Sequence, residues 1–156
     1  MKKNDMKKQL GIAFLAIVLL TGCGTGGKKE PEPQTPAVRL TVWGPQEAQT
    51  WLTDRSSVFM DEHPEADLTV VIESEAVNTV RDTVLADVAT AADVFLISQA
   101  DAEVLKEAQA VLPWQDGSYY RSMKESFGTE TGLVIAVNAE TAETEWAMKL
   151  AEAFEN

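Results

Sequence analysis

Three short apolar runs constrain the fold more than anything else in the chain: "VRLTVWG" (Val38 to Gly44), "ADLTVVIES" (Ala66 to Ser74) and "ADVFLIS" (Ala92 to Ser98). Each reads as a strand of the buried type, and "ADVFLIS", apolar at nearly every position, cannot leave one face in water. Between them the periodicity changes. "PQEAQTWLTDRSSVFMDEHP" carries Trp51, Leu52, Val58 and Phe59 at helical spacing, and "AVNTVRDTVLADVATA" carries Val77, Val80, Val84 and Val88. His63-Pro64 predicts the end of the first helix, because proline disfavours the helical conformation in the residue before it. After the third strand a short helix is expected with Val104, Leu105 and Ala108, then a fourth strand in "TGLVIAVN" (Thr131 to Asn138). A closing helix from about Glu143 is striped by Trp146, Ala147, Leu150, Ala151 and Phe154. Buried strands joined by helical crossovers predict an α/β class: a mostly parallel open sheet with helices on both faces and right-handed connections. No internal repeat appears.

Ligands of such sheets bind beyond the carboxyl ends of the strands. The candidate site is therefore expected on "WGPQEAQ", "ESEA", "SQAD" and the turn after Asn138.

The residues before this domain have a different composition. Lys2, Lys3, Lys7 and Lys8 precede the apolar run Gly11 to Leu20, which has the length of a secretory signal and is too short to span a bilayer. Cys23, the single cysteine, follows at once, so no internal disulfide is available. "LTGC" (Leu20 to Cys23) resembles the lipobox of bacterial lipoproteins. That resemblance implies cleavage before Cys23 and a diacylglyceryl group on its thiol, a two-chain anchor that holds a protein stably at a membrane where one chain would not. Residues 1–22 are then a signal peptide. Residues 23–36, "CGTGGKKEPEPQTP", form a flexible tether of glycine and proline, and residues 37–156 form a single domain large enough for a core.

The chain has 13 basic and 25 acidic residues, a net charge of −12; without the leader, 9 face 24, a net of −15. Such a surface repels nucleic acid, so no nucleic-acid partner is expected. Catalytic constellations are also missing. His63 is the only histidine and sits at a helix end, Cys23 has no base beside it, and "GTGG" lacks the context of a phosphate loop. "DEHPE" (Asp61 to Glu65) reads as a solvated charge run, and no two carboxylates are fixed at a defined separation. The expectation is a protein that is not an enzyme and carries no cofactor and no metal.

"LTVWGPQEAQTWL", "FMDEHPEADLTVVIES", "AADVFLIS" and "AVNAETAETEWAMKLAEAFEN" together resemble the extracellular solute-binding proteins of ABC sugar importers, of the maltose and maltodextrin type. The resemblance implies one lobe of a two-lobed periplasmic-binding-protein type II fold, an oligosaccharide ligand, membrane permease subunits as partners, and a place on the outer face of the bacterial membrane. Family members run to about 400 residues. Up to about Ala108 this chain resembles the start of their amino-terminal lobe, and from about Ala110 a later segment that folds back into the same lobe. The join falls near Gln109, and the carboxyl-terminal lobe is the part expected to be missing. A domain deletion, a pseudogene product and an assembly error would leave the same trace.

Carried over by position, the resemblance gives Trp43, Gln46 and Glu47 after the first strand and Glu73 or Glu75 after the second as sugar contacts. After the third it gives Gln99, with Ala100 where the family has an acid and Asp101 one residue late. Each has a plainer alternative: Trp43 as core, Glu47 as a first-turn acid favoured by the helix dipole, and Trp146 as core. Trp114 and Tyr119, in the linker-like "PWQDGSYY", read either as exposed aromatics or as cover for the surface of an absent lobe. Weak or no measurable sugar binding is expected of one lobe alone. A docking module for a permease or partner lobe, and a nonfunctional remnant, are the other readings.

Overall fold

The computed structural model describes residues 36–155. The expected signal peptide, Cys23 and the expected tether up to residue 35 lie outside the described residues. Five strands, β1 (Val38–Gly44), β2 (Leu68–Ser74), β3 (Val94–Ser98), β4 (Arg121–Ser122) and β5 (Leu133–Val137), form one sheet in the order β2-β1-β3-β5-β4. Four helices accompany them: α1 (Gln49–Glu62), α2 (Val77–Ala86), α3 (Gln99–Glu107) and α4 (Thr144–Glu155). β1 pairs in parallel with β2 and β3, whereas β5 is antiparallel to both β3 and β4. Four strands thus share one direction and β5 opposes them, a mostly parallel α/β sheet.

The sheet is covered on both faces. Alternate residues of β3 and β5 point oppositely, as the pleat requires. Val94, Leu96, Leu133, Ile135 and Val137 join Leu52 and Phe59 of α1 and Leu150 and Phe154 of α4 in one buried cluster. Phe95, Ile97, Val134 and Ala136 join Val80 and Val84 of α2 and Leu105 of α3 in the other. Both layers exclude water almost completely, so strands of this apolarity are stable only as the middle of a sandwich.

Several local expectations change. In α1 the buried positions are Leu52, Ser56 and Phe59, and Val58 is 51% exposed. One residue turns a helix by about 100°, so Phe59 cannot face the sheet with Val58 beside it. Likewise α3 buries Ala102 and Leu105 while Val104 and Ala108 face outward. The stripe on α2 stops at Val84, and Val88 lies in a short 3-10 turn (Val88–Thr90), half-buried. β2 is only half-buried because it is an edge strand with one neighbour. Trp114 is neither an exposed aromatic nor part of a linker: it is 4% exposed, under the guanidinium of Arg121 at 4.7 Å. Tyr119 and Trp146 are half-buried.

α1 ends at Glu62, before Pro64 as predicted, and His63 lies edge-on between Phe59 and Trp146. α3 ends in a Schellman arrangement: the Ala110 N–H reaches the Leu105 carbonyl at 2.9 Å and the Gln109 N–H that of Lys106 at 3.0 Å. Gln109 itself has φ +58°, the left-handed region. Beyond this turn Leu112 bonds to the Val137 carbonyl, so the chain after Gln109 returns to the sheet that holds the chain before it.

Asn138, at the end of β5, is 2% exposed. Its side-chain amide donates to the carbonyls of Val88, Ala91 and Ala92 at 2.8, 3.3 and 3.2 Å, and its Oδ1 accepts from the Glu140 N–H at 2.9 Å. These bonds fasten β5 to the loop that leads into β3.

Candidate functional site

The direction of β5 decides which loops meet at the carboxyl edge of β1, β2 and β3. Ser98 at the end of β3 stands opposite Leu133 at the start of β5, and Val94 opposite Val137. The turn after Asn138 therefore lies at the far edge, where the Asn138 N–H bonds to the Asp93 carbonyl, and it is not part of the site as expected. In its place comes the segment between β4 and β5, residues 123–132.

At this edge a cavity of about 510 Å³ opens between the turn after β1, the starts of α2 and α3, and that segment. Its polar lining is Gln46, Glu47, Ser74, Asn78, Ser98, Asp101 and Glu130, with Pro45, Ala76 and Val77 as the apolar part. Pro45 opens a 3-10 turn (Gln46–Ala48) that seats Ala48 in the core and leaves Gln46 and Glu47 at the rim. Ser98 caps α3: its Oγ accepts from the Asp101 N–H at 3.1 Å and donates to Asp101 Oδ2 at 2.8 Å, a reciprocal cap that positions Asp101.

Of the seven residues expected as contacts, the cavity gathers Gln46, Glu47 and Asp101. Asp101 also accepts from Arg81 Nη1 at 2.8 Å, an ion pair that ties α2 to α3. Two hydrogen bonds to its carboxylate are thus filled within the fold. Arg81, held first by Asp82 and then by Asp101, keeps its proton more firmly than a free guanidinium.

The other four are engaged elsewhere. Trp43 and Glu73 are directly paired across β1 and β2, and the Trp43 indole donates to Glu73 Oε2 at 2.9 Å. Trp43 packs half-buried against the α2 and α3 layer. Glu75 accepts from the Thr79 hydroxyl at 2.6 Å in the first turn of α2. Gln99 donates to the Tyr120 hydroxyl at 3.3 Å, which donates in turn to Glu103 Oε1 at 2.5 Å. That hydroxyl, with Lys106, holds the Glu103 carboxyl below its ordinary range. Trp43 is the one aromatic among the seven, and it lies outside the cavity lining.

Ser74 and Ser98 lie within the expected "ESEA" and "SQAD" loops but were not among the expected contacts, Asn78 lies just past "ESEA", and Glu130 lies in a segment that sequence reasoning left outside the site. Glu130 needed the direction of β5, which its composition does not encode.

Among the described residues no group of three or more His, Cys, Asp or Glu is placed to hold a metal ion, and no helix is long and apolar enough to cross a membrane. A wider hollow of about 730 Å³ lies between residues 113–121 and α4. Its charged lining is already paired, Arg121 with Asp116 at 2.7 Å and Lys149 with Glu145 at 2.7 Å. The cavity at the carboxyl edge has the better claim as the binding site.

Fold and cavity together define the class: an α/β domain with a polar recess at the carboxyl ends of its parallel strands. No protein-family model matches the chain, and no curated protein matches it. Among solved structures it is similar to a protein solved with acarbose, at 24% identity and TM-score 0.48, over 51% of this chain and 22% of that one. It is also similar to maltodextrin binding protein MalE1 from L. casei BL23 without ligand, at 18% identity and TM-score 0.44, over 52% of this chain and 22% of that one. The matched half of this chain thus spans 22% of the length of each.

Proposed function

We propose that residues 37–156 are a carbohydrate-binding domain, the solute-capturing component of an ABC importer for oligosaccharides of the maltodextrin type, held at the outer face of the membrane by lipidated Cys23. The observation that carries this reading is the cavity at the carboxyl ends of β1, β2 and β3. Its lining of amides, hydroxyls and carboxylates suits the alternating donors and acceptors of a sugar, and it contains no Lys or Arg. The ordered set of sequence motifs supports the same reading. Capture is noncovalent, and the domain hands its ligand to permease subunits.

Affinity should be low. A single recess open to water gives a sugar few dry hydrogen bonds, and no aromatic ring lines it. We expect a Kd on the order of 1 mM for maltotriose, about −4 kcal/mol. Chemical-shift titration of the amide spectrum with maltotriose tests this, with perturbations expected at Gln46, Glu47, Asn78 and Ser98. Micromolar affinity would contradict the one-sided site, and no shift at tens of millimolar sugar would remove carbohydrate binding altogether.

A further inference from the structure

We propose that Glu130 is a saccharide-contacting residue of this cavity, aimed by the turn at Gly128, and that it selects ligands presenting a pair of adjacent free hydroxyls. The inference rests on the carbohydrate-binding reading and goes beyond the residues that the sequence motifs supply.

Residues 123–132 connect β4 to β5 at the carboxyl edge of the sheet, and two anchors fix their course. Phe127 is 6% exposed, its ring 5.5 Å from that of Trp51. Phe127 and Glu130 exchange two backbone hydrogen bonds of 2.9 Å, which close a tight turn on Gly128 and Thr129. Gly128 has φ +61°, and a Cβ added there would lie 3.1 Å from Glu47 Cγ. The turn therefore leans on Glu47 as closely as a residue without a side chain allows. Glu130 leaves this turn as part of the cavity wall, which Asn78 and Ser98 also line.

Its carboxylate makes no side-chain hydrogen bond or ion pair with any described residue, unlike Asp101, Glu73 and Glu75, which are bonded within the fold. A carboxylate only accepts, and each of its two oxygens can take a hydrogen bond, so adjacent hydroxyls of a pyranose can donate to both at once. A polyhydroxylated ligand is thereby matched through its donors.

The test is a chemical-shift titration with maltotriose and with its fully O-methylated counterpart, which keeps the ring skeleton and loses the donors. Wild-type protein should prefer maltotriose. Glu130→Ala should weaken maltotriose binding about tenfold and narrow the preference over the methylated sugar by a similar factor. Glu130→Gln should retain part of it, and the β3 and β5 amide signals should stay in place in both. Gly128→Ala, which keeps the carboxylate but pushes the turn off Glu47, should weaken maltotriose binding severalfold. If wild type binds maltotriose and Glu130→Ala binds it equally, or keeps the same preference, this inference fails while the carbohydrate reading stands. If wild type shows no shifts at all, both fail.

Discussion

Replacing Gln109 with glycine should make the domain more stable, although it removes a side chain. Gln109 sits at the left-handed position that closes α3, with φ +58° and both Schellman hydrogen bonds formed at 2.9 and 3.0 Å. A residue with a Cβ is disfavoured there by about 1–2 kcal/mol, and glycine is not. Glycine adds freedom to the unfolded chain, which costs about 0.5–1 kcal/mol. The Gln109 side chain is exposed and makes no hydrogen bond that offsets the difference. The balance is a gain of about 0.5–1 kcal/mol, or about 3 °C in Tm for a domain of this size. Urea unfolding of Gln109→Gly should show a higher midpoint with an unchanged slope, because the surface exposed on unfolding is the same. Gln109→Val should move the other way, since a β-branched residue tolerates the left-handed region least. A Gln109→Gly midpoint equal to or below wild type would refute the reasoning and place the energetics of this turn in Gln109 contacts instead.

Two further outcomes follow from single sites. A Cβ at Gly44 would lie 2.6 Å from Cδ1 of the fully buried Leu52, so Gly44→Ala should destabilise the fold by about 1–3 kcal/mol in urea, where an unchanged midpoint would show that α1 yields. The Asp116 carboxyl is held well below its ordinary range by the Ser118 hydroxyl, the Arg121 guanidinium and the Ser118 N–H. A group depressed in the folded state contributes stability above its unfolded value of about 3.9, and that contribution fades as the pH falls through the folded value. Thermal melts of Asp116→Asn should therefore lie below wild type at neutral pH and converge with it in acid; parallel curves would show that Asp116 does not contribute.

The layers of the fold were legible because each rests on a local pattern. β1, β2 and β3, the closing stripe of α4 and the stop at Pro64 all follow from which neighbouring residues are apolar. Errors within a helix, at Val58 and Val104, came from apolar residues lying one step off the buried column. The larger error has one cause. "LVIAV" reads the same in either direction, since a strand buried on both faces carries no polarity, and so parallel and antiparallel placement of β5 could not be told apart. Reversal of that one strand takes the turn after Asn138 away from the cavity and brings Glu130 to it. Trp43, Glu73, Glu75 and Gln99 were placed near the carboxyl edge correctly as backbone, but their hydrogen-bond partners come from β-register, helix capping and the distant Tyr120, none of which a linear reading displays.

Asn138 answers the ambiguity that "LVIAV" leaves. A shift of β5 by one residue would exchange Leu133, Ile135 and Val137 for Val134 and Ala136 on each face, and apolar side chains of similar character would forgive much of that. The amide does not forgive it: displaced by one step, it would be enclosed in hydrocarbon with its donors and its oxygen unmatched. A single polar group thus serves as an alignment key for an otherwise interchangeable strand, and it trades adhesive strength for the uniqueness of one pairing.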